Sequence, residues 1–178
     1  NPSIEKAKAL LAEAGYKNEK IVLLHPLDSP LLNPYGSVLI DRMKRAGFNV
    51  DVQGLEWSAI AQRWVQRNPL DQGGWSVIPV VYTGFDMSDP LSNLGIGFNC
   101  TGNQPWGYCV DRMKPVLERF EAESDPARRK ALAAELQQMA TEDATFPIAG
   151  QFRSPAVWRS ELKGVIDFGF PVIWNIER

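Results

Sequence analysis

Residues 21–52, IVLLHPLDSPLLNPYGSVLIDRMKRAGFNVDV, contain two short β-rich runs separated by an amphipathic helix. The runs are residues 21–24 and 48–52, and the Asn-Pro pair at 33–34 is typical of a helix start. Gly47 is typical of a helix end. The apolar residues that share one face of this helix are Tyr35, Val38, Leu39, Met43 and Ala46. A strand, a helix and a strand at this spacing predict a β-α-β unit with parallel strands.

The same helix-start signal, Asn or Asp followed by proline, occurs at positions 1–2 and 125–126. The first predicts a helix that ends at Gly15, and the second predicts a helix that extends to about Glu142, with the apolar stripe Leu132, Leu136, Met139 and Ala140. Pro115 should lie near the start of its own helix, because a mid-helix proline costs about 3 kcal/mol.

A further helix over residues 57–67 and a strand over residues 75–82 complete the pattern. Strands that alternate with helices predict an α/β fold, in which helices cover a mainly parallel or mixed sheet. The residues that recur at helical spacing and predict a stripe that faces the core are Trp57, Ile60, Ala61 and Trp64.

The composition is that of an ordinary globular domain. Of 178 residues, 44% are hydrophobic and 22% are charged, which argues against disorder or a fibrous repeat. The net charge of −2 argues against nucleic acid as a partner. No apolar stretch approaches the roughly 20 residues of a membrane span. The chain lacks a starting Met and a signal-peptide pattern, so we expect a piece of something longer.

Features that carry enzyme chemistry are scarce. His25 is the only histidine, and we expect it to be an ordinary side chain at the solvent edge of the first strand. The sequence contains no Gly-x-Ser-x-Gly, phosphate-loop or His-Glu-x-x-His motif. Two cysteines and one distant histidine are too few for a metal site. An enzyme is therefore the weaker hypothesis, and the sequence predicts neither a metal nor a cofactor.

Aromatic residues gather around the end of the third predicted strand and the loop after it. They are Trp75, Tyr82, Phe85, Trp106 and Tyr108. Ligands of open α/β sheets bind at the carboxyl ends of strands. The following loop places Asp86 and Asp89 among apolar residues, and apolar walls with a few fixed polar groups are typical of a small-molecule site.

The two carboxylates of this loop have different expected roles. Asp89 precedes Pro90 and is typical of a turn former, so Asp86 is the stronger candidate for a ligand contact. A hydrolase that uses both as paired carboxylates is an alternative. Glycoside chemistry needs the two on opposite sides of a sugar ring, which adjacent loop positions disfavour.

Cys100 and Cys109 lie in a turn-rich stretch. From the spacing, a disulfide and two reduced, half-buried thiols are both open. A bond would close a ten-residue loop, worth about 2.7 kcal/mol on the loop-entropy estimate.

Several segments together resemble the C-terminal lobe of a bacterial extracellular solute-binding protein, family 5, the peptide, nickel and opine class that feeds ABC importers. The segments are residues 1–16, 43–52, 86–90, 125–130, 150–159 and 162–164. The resemblance implies a three-layer, type II periplasmic-binding-protein-like lobe over residues 1–150. It also implies a tail over 151–178 that crosses back towards a missing first lobe. The function implied is solute binding for import without catalysis, with ABC permeases as partners. The location implied for the full-length protein is the periplasm, or the extracellular side of the membrane in a membrane-associated form.

In peptide-binding members, an aspartate four residues before the proline of this loop pairs with the ligand's α-amino group, and Asp86 stands at that spacing. The ligand-binding residues that the resemblance implies are Asp86, Phe85, Tyr82, Thr83 and Trp106. Those members usually carry a tryptophan shortly before the aspartate, and this chain does not, so opines and oligosaccharides stay open as ligands. Nickel binders depend on histidine, and His25 lies outside the loop.

Two further expectations follow from the resemblance. Some relatives carry a similar cysteine pair and the periplasm is oxidising, which implies a Cys100–Cys109 disulfide. The last segment packs on the first lobe in this family, which implies an exposed apolar patch near Phe168, Phe170 and Trp174 in this chain. The alternative function is the sensory domain of a larger receptor, because a fold does not fix a function.

Overall fold

The computed structural model describes residues 3–66, 68–93, 111–144, 147–170 and 172–178. The chain forms two compact units, Asn1–Val81 and Tyr82–Arg178.

The first unit contains the predicted β-α-β arrangement. In chain order its elements are α1 (Ile4–Glu13), β1 (Lys20–Pro26), α2 (Leu32–Ala46), β2 (Asn49–Leu55) and α3 (Trp57–Trp64). The strands β1 and β2 pair in parallel, with Lys20 opposite Asn49 and Pro26 opposite Leu55. Helix α2 connects them, so the prediction of parallel strands is confirmed.

The third predicted strand is reduced to one bridge. Val77 pairs in parallel with Leu23. The Leu24 amide donates to the carbonyl of Val77 at 3.0 Å, and the Val77 amide donates to the carbonyl of Val22 at 3.1 Å. Pro79 follows two residues later and is fully buried. Since proline has no N–H to donate, regular pairing does not continue past it, and the prediction of a strand to residue 82 is wrong.

Two helix starts differ from the predicted caps. Ser3 caps α1, because its hydroxyl accepts the Lys6 amide at 3.2 Å. Helix α2 begins at Leu32, whose amide donates to the Ser29 hydroxyl at 3.1 Å. Pro34 therefore lies inside the first turn, where its missing N–H has no helical partner to lose. The N-cap residue of α2 is Leu31, which makes no side-chain cap hydrogen bond, and Asn33 lies inside the helix, so the prediction that Asn33 caps α2 is wrong. Asn1 lies outside the described residues.

The predicted ends of α1 and α2 are confirmed. Gly15 and Gly47 have φ of 73° and 103°, the left-handed conformation that glycine adopts without a steric penalty. Helix α3 ends at Trp64, short of the predicted residue 67.

The core of the first unit lies between the sheet and α3. Val22, Leu24 and Ile60 form a buried cluster, and Trp57 packs against it. The rings of Trp57 and Trp64 meet edge to face with centroids 5.8 Å apart. The predicted stripe is therefore confirmed for Trp57, Ile60 and Trp64, whereas Ala61 is exposed. Val38 was expected on the apolar face of α2 but is 55% exposed. The buried residues of α2 are Leu32, Gly36 and Ala46.

His25 is buried, so the prediction that it lies at the solvent edge is wrong. Its side chain is 8% exposed, and Nε2 lies 3.0 Å from the Asn33 carbonyl oxygen. A Cβ atom at Gly36 would lie 2.7 Å from the ring, so the missing side chain lets α2 cover the histidine. His25 is therefore part of the packing between β1 and α2.

The second unit contains a helical hairpin. A 3-10 turn at Asp111–Met113 leads into α4 (Lys114–Ala122), and α5 (Pro126–Asp143) follows. As predicted, Pro115 lies in the first turn of α4, and the Asp125 side chain caps α5 by accepting the Arg128 amide at 2.9 Å. The hairpin core consists of Met113, Val116, Leu117, Phe120, Leu136 and Met139, with Leu132, Ala133 and Ala140 against it. The predicted stripe of α5 is confirmed.

The tail has little regular structure among its described residues. Antiparallel bridges join Lys163 to Glu177 and Ile166 to Val172. The expected exposure of Phe168, Phe170 and Trp174 is observed, at 47%, 41% and 79%. In the part of the chain that the structure describes, no helix has the length and hydropathy needed to cross a membrane.

Candidate functional site

Residues 82–93, which we call the Asp86 loop, open the second unit. The Thr83 amide and hydroxyl donate to Asp86 Oδ2, at 3.1 and 2.7 Å. The Asp86 amide donates back to Thr83 Oγ1 at 3.2 Å. This reciprocal pairing is a capping box, in which each residue satisfies the other's backbone amide. The carboxylate of Asp86 is thereby held in a fixed orientation.

The hydrogen bonds leave part of the Asp86 carboxylate for another partner. Among the described residues, its hydrogen bonds all go to Oδ2, and Oδ1 receives none. The residue is half-buried. A carboxylate in such a position gains stability from a cationic partner.

Tyr82 lies next to this carboxylate. Burial raises the pKa of its phenol above the ordinary value, and the negative charge of Asp86 raises it further. The phenol therefore stays protonated at neutral pH and keeps its hydrogen-bond donor.

Phe85 connects the Asp86 loop to the tail. Its ring centroid lies 5.2 Å from that of Phe168 and 6.1 Å from that of Phe170. The two tail rings lie 4.9 Å apart and meet edge to face. We call these three residues the phenylalanine cluster. Phe85 is 56% exposed, so the cluster gives the residue before Asp86 an apolar surface that faces solvent.

Asp89 is bound within its own unit, as a turn former is expected to be. Its Oδ1 accepts the Leu91 amide at 2.8 Å, and Oδ2 lies 3.6 Å from Arg129 Nη2. Its backbone carbonyl accepts the amides of Ser92 and Asn93. Both carboxylate oxygens of Asp89 therefore have protein partners, in contrast to those of Asp86.

The structure thus joins four of the five predicted ligand-binding residues in one loop: Tyr82, Thr83, Phe85 and Asp86. Trp106 lies outside the described residues, and so do Cys100 and Cys109. The ligand contacts of all five residues and the disulfide stay predictions. Within the described ranges, no cluster of three or more His, Cys, Asp or Glu residues is placed to hold a metal ion.

Sequence reasoning missed three contributors to the site. The Thr-x-x-Asp spacing at 83–86 is a readable capping-box signal. The contact of Phe85 with Phe168 and the pairing of Asp89 with Arg129 join residues far apart in the chain, for which the sequence carried no signal.

Residues 1–105, which include the whole Asp86 loop, match the family of bacterial extracellular solute-binding proteins, family 5 Middle. The chain belongs to this family. Family 5 proteins are solute-binding proteins and not enzymes, so the resemblance inferred from the sequence is confirmed and the hydrolase alternative is not supported.

Two curated relatives agree over 98% of this chain. One is a probable peptide ABC transporter periplasmic-binding protein of Sinorhizobium fredii, which is 27% identical over 176 residues. The match covers 33% of that protein's length. The other is Di/tripeptide-binding protein 4 of Pseudomonas aeruginosa, which is 28% identical over 183 residues. The match covers 29% of that protein's length. The chain therefore spans about a third of the length of these relatives.

A solved structure shows the shared fold. The ABC transporter substrate binding protein CtaP of Listeria monocytogenes superposes with a TM-score of 0.65 at 19% identity. The match covers 82% of this chain and 29% of that protein. The predicted α/β lobe of periplasmic-binding-protein type is confirmed.

Proposed function

We propose that the full-length protein binds short peptides in the periplasm for import through an ABC permease, and that this chain supplies one half of the ligand cleft. The observation that carries the proposal is the Asp86 carboxylate, oriented by Thr83 with Oδ1 outside the capping box. The two relatives named for peptides support it. An oligosaccharide without an amine would leave this charge without a counter-ion, so peptides and other amine-bearing solutes are favoured.

Each part of the site has a role in this proposal. The α-amino group of the peptide pairs with Asp86 in a cleft from which lobe closure removes water, which strengthens the ion pair. Tyr82 lies beside the carboxylate, and the phenylalanine cluster supplies an apolar wall. Specificity for peptides then comes from the fixed charge, and affinity comes largely from burial.

Blocking the peptide amine tests this function. Unprotected di- and tripeptides are first screened for thermal stabilisation of the full-length protein, and the best tripeptide is then measured by calorimetry beside its N-acetylated form. We expect acetylation to raise Kd by at least about thirtyfold, because loss of a buried charge pair costs roughly 2 kcal/mol or more. The C-terminal amide of the same tripeptide, which keeps its amine, is the control. Equal affinity for the acetylated and free peptides would contradict the proposal.

We also propose that the tail, residues 151–178, crosses to a part of the protein that precedes this chain. Its apolar side chains are widely exposed, including Val157 at 91% and Trp174 at 79%. Surfaces of this kind drive association when they are left uncovered. We expect the isolated chain to self-associate in sedimentation at high concentration, and the full-length protein to stay monomeric. A monomeric isolated chain with a protease-resistant tail would count against the proposal.

A further inference from the structure

Arg129 joins three parts of the second unit. From helix α5, its Nη1 donates to the backbone carbonyl of Phe120 in α4 at 2.9 Å. Its guanidinium carbon lies 3.9 Å from the centre of the Phe120 ring, a cation–π contact. Its Nη2 lies 3.6 Å from Oδ2 of Asp89 in the Asp86 loop. One side chain therefore contacts both helices of the hairpin and the loop.

A short chain of hydrogen bonds runs from Asp89 to Asp86. The Asp89 carbonyl accepts the Ser92 amide at 3.1 Å. The Ser92 hydroxyl lies 3.1 Å from the Asp86 carbonyl and 3.2 Å from the Asp89 carbonyl, so it bridges the two aspartates. A shift of Asp89 relative to the hairpin would therefore move the backbone of Asp86.

The other arginines of the hairpin bind elsewhere. In the part of the chain that the structure describes, Arg112 pairs with Glu142 and Asp143, Arg119 with Glu135, and Arg128 with Glu123. All of these acids lie on the hairpin itself. An exposed ion pair contributes little when it must order two flexible side chains. Arg129 differs, because the Phe120 carbonyl and ring already fix its planar guanidinium before it meets Asp89.

We propose that Arg129 is a positioning residue for ligand binding: through Asp89 and Ser92, it fixes the place of the Asp86 carboxylate that receives the peptide amine. The inference rests on the proposed function, since it concerns the same site. It gives a role in peptide binding to Arg129, which lies on α5, outside the Asp86 loop. Lysine cannot replace this arginine, because an ammonium group does not match the carbonyl, the ring and the carboxylate at once.

A double-mutant cycle on peptide affinity tests this role. The full-length protein is compared with Arg129→Ala, Asp86→Asn and the double variant, with the best tripeptide of the thermal screen as the probe. We expect Arg129→Ala to raise Kd about tenfold in the wild-type background, and less than about twofold when Asp86 is already asparagine. Arg129 then acts only through Asp86, which a general loss of stability would not reproduce. Arg129→Lys should give most of the loss.

Arg119→Ala is the matched control, because it removes the same kind of side chain from the same hairpin, and among the described residues the Arg119 side chain pairs with Glu135 alone. We expect it to bind the tripeptide within about twofold of wild type. If Arg129→Ala binds like wild type, or loses the same factor in both backgrounds, the positioning role is wrong while the proposed function stands. If Asp86→Asn itself binds like wild type, both fail. Should Arg129→Ala not fold, Arg129→Lys and Asp89→Asn enter the same cycle.

Discussion

Replacing Asp86 by asparagine should weaken the binding of an amine-bearing peptide to the full-length protein by about 2 to 5 kcal/mol, the usual loss when one partner of a buried charge pair is removed. Asparagine keeps an oxygen that can accept the two hydrogen bonds from Thr83, so the capping box and the fold should survive. The loss therefore reports the missing charge. Calorimetry with the unprotected tripeptide measures it, and circular dichroism checks the fold.

Two other aspartates serve as comparisons for this variant. Asp167→Asn removes an equal charge from an exposed position of the same unit, and we expect wild-type affinity. Asp89→Asn should lie between the two, since an amide oxygen still accepts the Leu91 amide while the pairing with Arg129 weakens. If Asp86→Asn binds the tripeptide as tightly as wild type, the inference that Asp86 pairs with the peptide amine, as the aspartate does in peptide-binding members of the family, is wrong.

The parts of the fold that could be predicted are those set by neighbouring residues. The β-α-β unit follows from apolar periodicity, and Gly15 and Gly47 end their helices because of their own backbone freedom. Asp125 caps α5 through an amide three residues away. The Ser3 hydroxyl caps α1, and the Ser29 hydroxyl accepts the Leu32 amide at the start of α2, so each helix start is bound by a serine two to four positions away from the predicted asparagine.

The parts that could not be predicted depend on tertiary packing. His25 is buried only because Gly36, on the next helix, lets the chain approach its ring. The short pairing at Val77 is different, because the sequence did contain a signal for it. Proline is poorly suited to a central strand, so Pro79 could have predicted that the pairing ends before it.

The same division holds at the site. Thr83 and Asp86 are near neighbours, and their box is readable from spacing. Phe168 and Arg129 reach the Asp86 loop from the tail and from α5, so only the folded chain brings them there. The loop sequence and the family resemblance together therefore pointed to Asp86 as the residue expected to touch the ligand, and the structure adds the residues that contact its loop.

Replacing Leu136 by alanine should destabilise the helical hairpin by about 2 to 5 kcal/mol, the range observed when a buried leucine leaves a cavity. Leu136 is fully buried in the cluster that joins α4 to α5, with Phe120 and Met113 among its neighbours. Arg129 lies on the same helix and contacts Phe120, so loosening this core should also weaken the contact between Arg129 and Asp89 in the Asp86 loop. Native-state hydrogen exchange of the α4 and α5 amides measures the loss, and calorimetry with the tripeptide measures its effect on binding.

Gln137→Ala is the matched control, since it shortens the next side chain of α5, which is exposed to solvent. Surface substitutions of this kind change stability by about 0.5 kcal/mol or less, and alanine favours a helix. We expect its exchange rates to match those of wild type while those of Leu136→Ala rise throughout both helices. Equal protection in the two variants would mean that α4 and α5 are held by contacts other than this core, and Arg129 would then lose the rigid support from which its action on Asp86 is inferred.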